Sequence, residues 1–197
     1  MKMDAEFTEE KIHDKLWEYL TTLHDEDCCT RNWRGWSYRI GKNQREKTFF
    51  YREFDVARFH KEQFQNQTDL LLYGYEVKGY QKALKGRERT TAYKEPAFGA
   101  GIDQALILLY QGADFAYLVI PEPEKETDRS NLRDLCDKYA YYVGIMFFSG
   151  ATFWEFRKAE RNTHTGEDRK KKMLTSLISG GQVSDIKIPL WCKKHEY

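Results

Sequence analysis

The chain carries almost no net charge: 32 lysines and arginines against 31 aspartates and glutamates leave +1 over 197 residues. The global basic excess that often marks a nucleic-acid binder is missing, so any basic surface must be local. No apolar run approaches the length of a membrane span. The opening MKMDAEFTEEK lacks the apolar centre of a signal peptide. These absences predict a cytoplasmic protein with no membrane partner. Cysteines number only 4, namely Cys28, Cys29, Cys136 and Cys192. Two are adjacent and the set forms no even framework, so reduced thiols are expected rather than disulfides. Repeats and low-complexity blocks are absent too.

What is present is apolar and aromatic. Hydrophobic residues make up 41% and aromatics 15%, enough for a sizeable core in one domain. Thr8 to Leu23 reads as an amphipathic helix, with Ile12, Leu16, Leu20 and Leu23 at helical spacing and Thr8 as its cap. Asp25 to Gly41 is turn-rich and predicts one short strand around Trp33–Ile40. Thr48 to Phe59 reads as a strand, Lys61 to Thr68 as a polar loop. Asp69 to Lys78 is an apolar run that ends in charge, the pattern of a central strand covered on both faces. A basic stretch, Lys82 to Lys94, predicts a loop. Ile102 to Gln111 reads as a helix ended by Gly112. Phe115 to Ile120 reads as a buried strand, then comes a helix capped by Ser130 and running to about Tyr142, then a strand over Val143–Phe148. Beyond residue 150 the pattern changes. Glu155–Arg161 is charged, Asp168–Ile178 reads as a helix and Ile186–Trp191 as a last strand. The expectation is an α/β domain with a mixed sheet over residues 1–150 and a C-terminal extension over 151–197.

The chemistry centres on Glu76-Val77-Lys78. Residues two apart on a strand share a face, so Glu76 and Lys78 point the same way. A carboxylate and an ammonium at the end of an apolar run are costly to bury unless paired or put to use. Asp55 ends a second predicted strand, Phe49–Asp55, and antiparallel pairing of the two strands would bring it beside Glu76. Two carboxylates and a main-chain carbonyl form a hard, oxygen-rich site suited to Mg²⁺ or Mn²⁺ rather than zinc. E-x-K alone is a weak signal, and a Glu–Lys pair at a strand end is its structural alternative. The order of elements around it is what raises its weight.

Arg52-Glu53-Phe54-Asp55-Val56 followed by Tyr75-Glu76-Val77-Lys78 resembles the PD-(D/E)XK nuclease superfamily over about residues 8 to 120. That superfamily includes restriction endonucleases, archaeal Holliday-junction resolvases and related nucleases of archaeal viruses. The resemblance implies a restriction-endonuclease-like mixed β-sheet flanked by helices. It matches the family's acid, second acid and lysine to Asp55, Glu76 and Lys78. It adds Glu9 on the first helix as a further metal-side acid and Gln104 on the helix after the E-x-K strand. The alternative for Glu9 is a first-turn acid favoured by the helix dipole, and for Gln104 a surface or packing role. No proline precedes Asp55, and the Asp55-to-Glu76 separation is long, which leaves Asp69 as a rival ligand.

The implied activity is a Mg²⁺-dependent deoxyribonuclease, of endonuclease or exonuclease type, with no organic cofactor. Junction-resolving specificity and a homodimer follow by analogy, in the host cytoplasm if the chain is viral. A non-catalytic DNA-binding or assembly module on the same fold and an RNA-processing nuclease are the alternatives. Lys82, Lys85, Arg87, Arg89 and Lys94 follow the E-x-K strand directly and are the expected phosphate contacts, with a solvated loop as the bland reading. Phe153, Trp154 and Trp191 are candidates for a dimer interface. Trp33, Trp36 and Tyr38 beside Arg31, Arg34 and Arg39 offer base stacking, though core packing explains them as well. A zinc site from His24, Cys28, Cys29, Cys192 and His195 has no standard spacing.

Overall fold

The computed structural model describes residues 7–33, 53–64, 67–85, 90–94, 98–164, 166–179 and 186–194. The chain opens with α1 (Glu9–Leu23), whose Ile12, Leu16 and Leu20 are buried along one stripe. Thr8 takes the N-cap position, but its side chain makes no capping hydrogen bond. Leu23 is exposed, outside the core expected for it. Three strands follow as a meander: β1 (Cys28–Trp33), β2 (Phe54–Phe64) and β3 (Gln67–Val77). Next, β4 (Gln81–Lys85) and β5 (Thr90–Lys94) pair antiparallel as a separate two-stranded sheet among the described residues. The helix α2 (Phe98–Gln111) crosses back to β6 (Phe115–Pro121), and α3 (Glu126–Tyr139) crosses to β7 (Val143–Phe148). The chain closes with β8 (Phe153–Arg157), α4 (Glu167–Ser179), β9 (Ile186–Lys187) and the short α5 (Leu190–Lys193).

The result is an α/β protein with a seven-stranded mixed sheet in the order β8-β7-β6-β3-β2-β1-β9. β3, β6 and β7 are mutually parallel, and every other neighbour is antiparallel. Crossover helices are what parallel neighbours require, and α2 and α3 supply them. Two apolar clusters cover the faces. One gathers Leu70, Leu72, Leu118 and Ile120 with Ile102, Ala105 and Leu108 of α2 and Met173, Leu174 and Leu177 of α4. The other sets Val56, Tyr75, Val77 and Val119 against Ile12, Leu16 and Leu20 of α1. The alternation of Leu72 and Val77 between these clusters is the period-two signature of a strand covered on both sides. The C-terminal residues belong to this sheet: β8 and β9 form its two edges and α4 fills part of the larger cluster. Among the described residues no helix is long and apolar enough to cross a membrane.

Several sequence expectations need correction. A strand runs over Cys28–Trp33, ahead of the stretch expected from the sequence and meeting it at Trp33, and residues 34–40 lie outside the described residues. The expected loop Lys61–Thr68 is instead the far end of a long hairpin, with Glu62 paired to Asp69 and Phe64 to Gln67. Glu62 and Gln63 are exposed there, so neither face needs apolar residues and the alternation that would betray a strand is missing. The basic stretch is not a loop throughout, since β4 and β5 occupy most of it. α3 begins at Glu126 with Lys125 as N-cap, which puts Ser130 inside the helix, and it ends at Tyr139. The last predicted strand is only two residues long before α5 begins. β8 was hidden by its charged residues, Glu155 and Arg157, because an edge strand tolerates them.

Candidate active site at the carboxyl end of the third strand

The site lies where β3 has a parallel neighbour on one side and an antiparallel one on the other. Pairing of β2 with β3 runs from Phe64↔Gln67 up to Val56↔Tyr75. The next residue of β2 is Asp55, level with Glu76. Here the side chain replaces the ladder: Val77 N donates to Asp55 Oδ2 at 2.7 Å. On its other side β3 continues to follow β6, with Lys78 N donating to Val119 O at 2.9 Å. Asp55 thus occupies the fork where two strands separate. The expectation that Asp55 ends a strand is wrong, since it stands second in β2. That error matters, because only the beginning of β2 can meet the end of β3 in an antiparallel pair.

Glu76 is fully buried and Lys78 is 7% exposed. The Lys78 ammonium donates to Glu76 Oε1 at 2.6 Å and to Val77 O at 2.9 Å, and it stands 3.7 Å from Glu9 Oε1. All three of its neighbours are oxygens, which suits a group with three donors and no acceptor. Two glycines make room for this arrangement. A Cβ on Gly79 would lie 2.3 Å from Glu9 N, so only glycine lets the first turn of α1 rest on the end of β3. A Cβ on Gly101 would lie 2.6 Å from Leu118 Cδ1 and 3.0 Å from Lys78 Cγ, so glycine lets α2 close over the lysine stem. The start of α1 is held further by Tyr80 N donating to Phe7 O at 2.8 Å and by a parallel bridge between Thr8 and Tyr80.

The electrostatics are lopsided. Among the described residues, three carboxylates, from Glu9, Asp55 and Glu76, gather around one ammonium. Burial pushes the Asp55 carboxyl up to about 7, and the charge of Glu76 adds to the rise. The Val77 N–H and Lys78 oppose that rise without cancelling it. Glu9 Oε2 is buried with no hydrogen-bond partner among the described residues. Surplus negative charge on oxygen donors is the chemistry that a hard divalent cation satisfies, and in donor type these residues fit one. Among the described residues, however, no three His, Cys, Asp or Glu side chains converge into a ready ligand group. The Lys78 ammonium, folded onto Glu76, is the local counter-charge.

The structure therefore brings Glu9, Asp55, Glu76 and Lys78 together. Gln104 lies on α2 one turn beyond Gly101, and its Oε1 is buried without a partner among the described residues. Asp69 is removed as a rival ligand, since it pairs with Glu62 at the far end of the hairpin and binds Arg161 at 2.7 Å. Lys82, Lys85 and Lys94 lie on β4 and β5, and Arg87 and Arg89 fall outside the described residues. Trp33 packs between Phe54 and Phe59, so it belongs to the core, and Arg31 pairs with Asp14 at 2.6 Å. Arg34, Trp36, Tyr38 and Arg39 lie outside the described residues. Phe153 is buried within the chain against Phe148 and Tyr19, which withdraws it from any interface. All four cysteines are buried and free, and His195 lies outside the described residues.

Sequence reasoning missed His13. It sits on α1 four residues after Glu9, with Nε2 at 2.8 Å from Asp55 O. The i, i+4 spacing from Glu9 was the signal that pointed to it. No family model matches the chain, and no curated protein matches it.

Proposed function

We propose that this chain is a PD-(D/E)XK-type nuclease that hydrolyses DNA phosphodiester bonds with Mg²⁺ or Mn²⁺. The observation that carries the reading is the Asp55 carboxylate in the fork between β2 and β3, 2.7 Å from Val77 N and flanked along β3 by Glu76 and Lys78. The order of helix, three-stranded meander, helix and parallel strand around it supports the same superfamily core. Asp55 and Glu76, with Glu9 beside them, would hold the ion. Such an ion supplies a water of lowered pKa and neutralises charge on a phosphate.

The chain's own groups do the rest. Burial makes the Asp55 charge costly until a cation arrives. Lys78 is placed to orient a water or to steady charge on a phosphate oxygen. Gln104, on α2 one turn beyond Gly101 and with Oε1 unpartnered among the described residues, is a second positioning group. The β4–β5 hairpin leaves β3 three residues after Lys78 and carries Lys82, Lys85 and Lys94. Together with Arg87 and Arg89 they are the proposed phosphate contacts. Such contacts set register on the backbone rather than sequence choice.

A second reading has one observation in its favour. Lys78 is closed onto Glu76 at 2.6 Å, and a satisfied ion pair needs no further ligand. On that reading the chain is a DNA-binding module without chemistry. A panel of labelled duplex, flap, four-way junction and single-stranded DNAs, with matched RNAs, separates the two. Cutting that requires Mg²⁺ or Mn²⁺ and is lost in both Lys78→Ala and Glu76→Ala supports the nuclease. Tight binding with no cutting by the unaltered protein in either metal overturns it in favour of the module. Preferential cutting of the RNAs would move the substrate, not the site.

A further inference from the structure

We infer that His13 is a positioning residue for Asp55, tying the helix that carries Glu9 to the strand that carries Asp55. The catalytic consequence rests on the nuclease reading, whereas the tie itself does not.

Glu9 and His13 are one helical turn apart and lie along the same side of α1. The His13 ring is half-buried, and its Nε2 lies 2.8 Å from the Asp55 carbonyl oxygen. A carbonyl can only accept, so Nε2 carries the proton and donates it to the Asp55 carbonyl. The contact falls at the residue where β2 leaves the β3 ladder. Asp55 is thereby held at both ends: its carbonyl by His13 on α1, its carboxylate by Val77 N on β3. Without the imidazole the Asp55 peptide loses its anchor to α1, and the carboxylate loosens from Val77. Outer groups that orient a metal ligand are worth about 10–100-fold in metal affinity. His13 stands in that relation to Asp55, and through α1 it also sets how far Glu9 lies from it.

The test compares His13→Leu, which keeps bulk without a donor, with His13→Gln, which keeps a donor at similar reach. The first readout is amide hydrogen exchange at Val77 in metal-free protein, with Leu72 N, bonded to Asp114 Oδ2, as internal control. In His13→Leu, exchange at Val77 should quicken by up to about tenfold while Leu72 is unchanged, the scale of one hydrogen bond. His13→Gln should restore it. The second readout is Mn²⁺ affinity by calorimetry, expected to weaken by about 10–100-fold in His13→Leu and to recover in His13→Gln. Nitrogen NMR of the unaltered protein should find the proton on Nε2, which needs no variant at all.

Unchanged Val77 exchange in His13→Leu overturns the inference. So does equal quickening of Val77 and Leu72, which would mean general loosening, or a His13→Gln that behaves like His13→Leu, or a ring protonated only on Nδ1. If the unaltered protein binds no Mn²⁺ but Val77 responds as described, the nuclease reading fails and the role of His13 in placing Asp55 stands.

Discussion

Two buried ionic clusters sit at opposite ends of the β3–β6 pair, and they are built on different accounts of charge. At the amino end of β6, Asp114 and Lys170 are 1% and 2% exposed, and their charged atoms meet at 3.0 Å. Asp114 Oδ2 accepts from Leu72 N at 2.8 Å. Arg161 approaches the same carboxylate at 3.8 Å while binding Asp69 at 2.7 Å. Two acids face two bases, and Asn162 ties the surrounding backbone through Leu109 O and Ala113 O. At the carboxyl end of β3, three acids face one lysine among the described residues. Burial raises the carboxyl pKa in both places, but at Asp114 the Leu72 N–H and Lys170 work against it, whereas at Asp55 the neighbouring Glu76 charge adds to it. Buried charge by itself therefore says little about function. The balanced cluster pins α4 to the sheet. Among the described residues the unbalanced one carries more carboxylates than cations, which is the feature the metal-site proposal uses.

The comparison can be broken most directly at the two lysines. Lys170→Met strands the Asp114 charge in the core and should cost about 3–5 kcal/mol in urea unfolding. Mn²⁺ should not recover it. A loss under about 1 kcal/mol would mean that the pair at Asp114 is not the anchor described. Lys78→Met should also destabilise the metal-free protein, but there Mn²⁺ should restore much of the loss. Next in size, the nuclease proposal predicts that Glu76→Ala lowers DNA cleavage by about 10²–10³-fold, the scale of losing one transition-state-stabilising group. Its far-UV dichroism should stay unchanged.

The third test uses pH. The folded Asp55 carboxyl lies near 7, above its ordinary 3.8, so the folded state holds the proton more tightly than the unfolded chain does. Its contribution is neutral below about pH 4 and costs stability progressively as pH rises to about 7. Asp55→Asn cannot ionise. Its melting temperature should therefore rise relative to the unaltered protein between pH 4 and 7 by several degrees and then level off. Mg²⁺ should shrink the gap. A flat difference across that range would show that Asp55 titrates in its ordinary place. The smallest effect is expected at Arg161→Ala, whose half-exposed bridge to Asp69 should be worth under about 1 kcal/mol by melting.

Local patterns in the sequence were enough to identify α1, β3, β6 and β7, because each buries a stripe or both faces and its apolar spacing says so. Glu76 and Lys78 were legible for the same reason. The outer half of the β2–β3 hairpin was not, since an exposed ribbon with polar residues on both faces looks like a loop. β1 was not legible because Cys28–Trp33 mixes polar and apolar residues without alternation, and Asn32 at φ 52° interrupts its regular strand geometry. Asp55 was found for its neighbours in sequence, yet its place in the strand was misread. Nothing in the sequence marks Asp114 or sets Lys170 apart from the other cations of the Arg169–Lys172 run, since a charged residue on an amphipathic helix ordinarily faces water.

The order of residues by itself determined which segments bury apolar faces and that Glu76 and Lys78 share one side of a strand, because backbone geometry repeats every two or 3.6 residues whatever lies elsewhere. Tertiary structure alone decided that Asp55 stands level with Glu76, that His13 reaches Asp55, and that Lys170 rather than water meets Asp114. Those pairings join residues 21, 42 and 56 positions apart. They depend on where a hairpin turns and how helices seat on the sheet, which is set by packing summed over the whole chain.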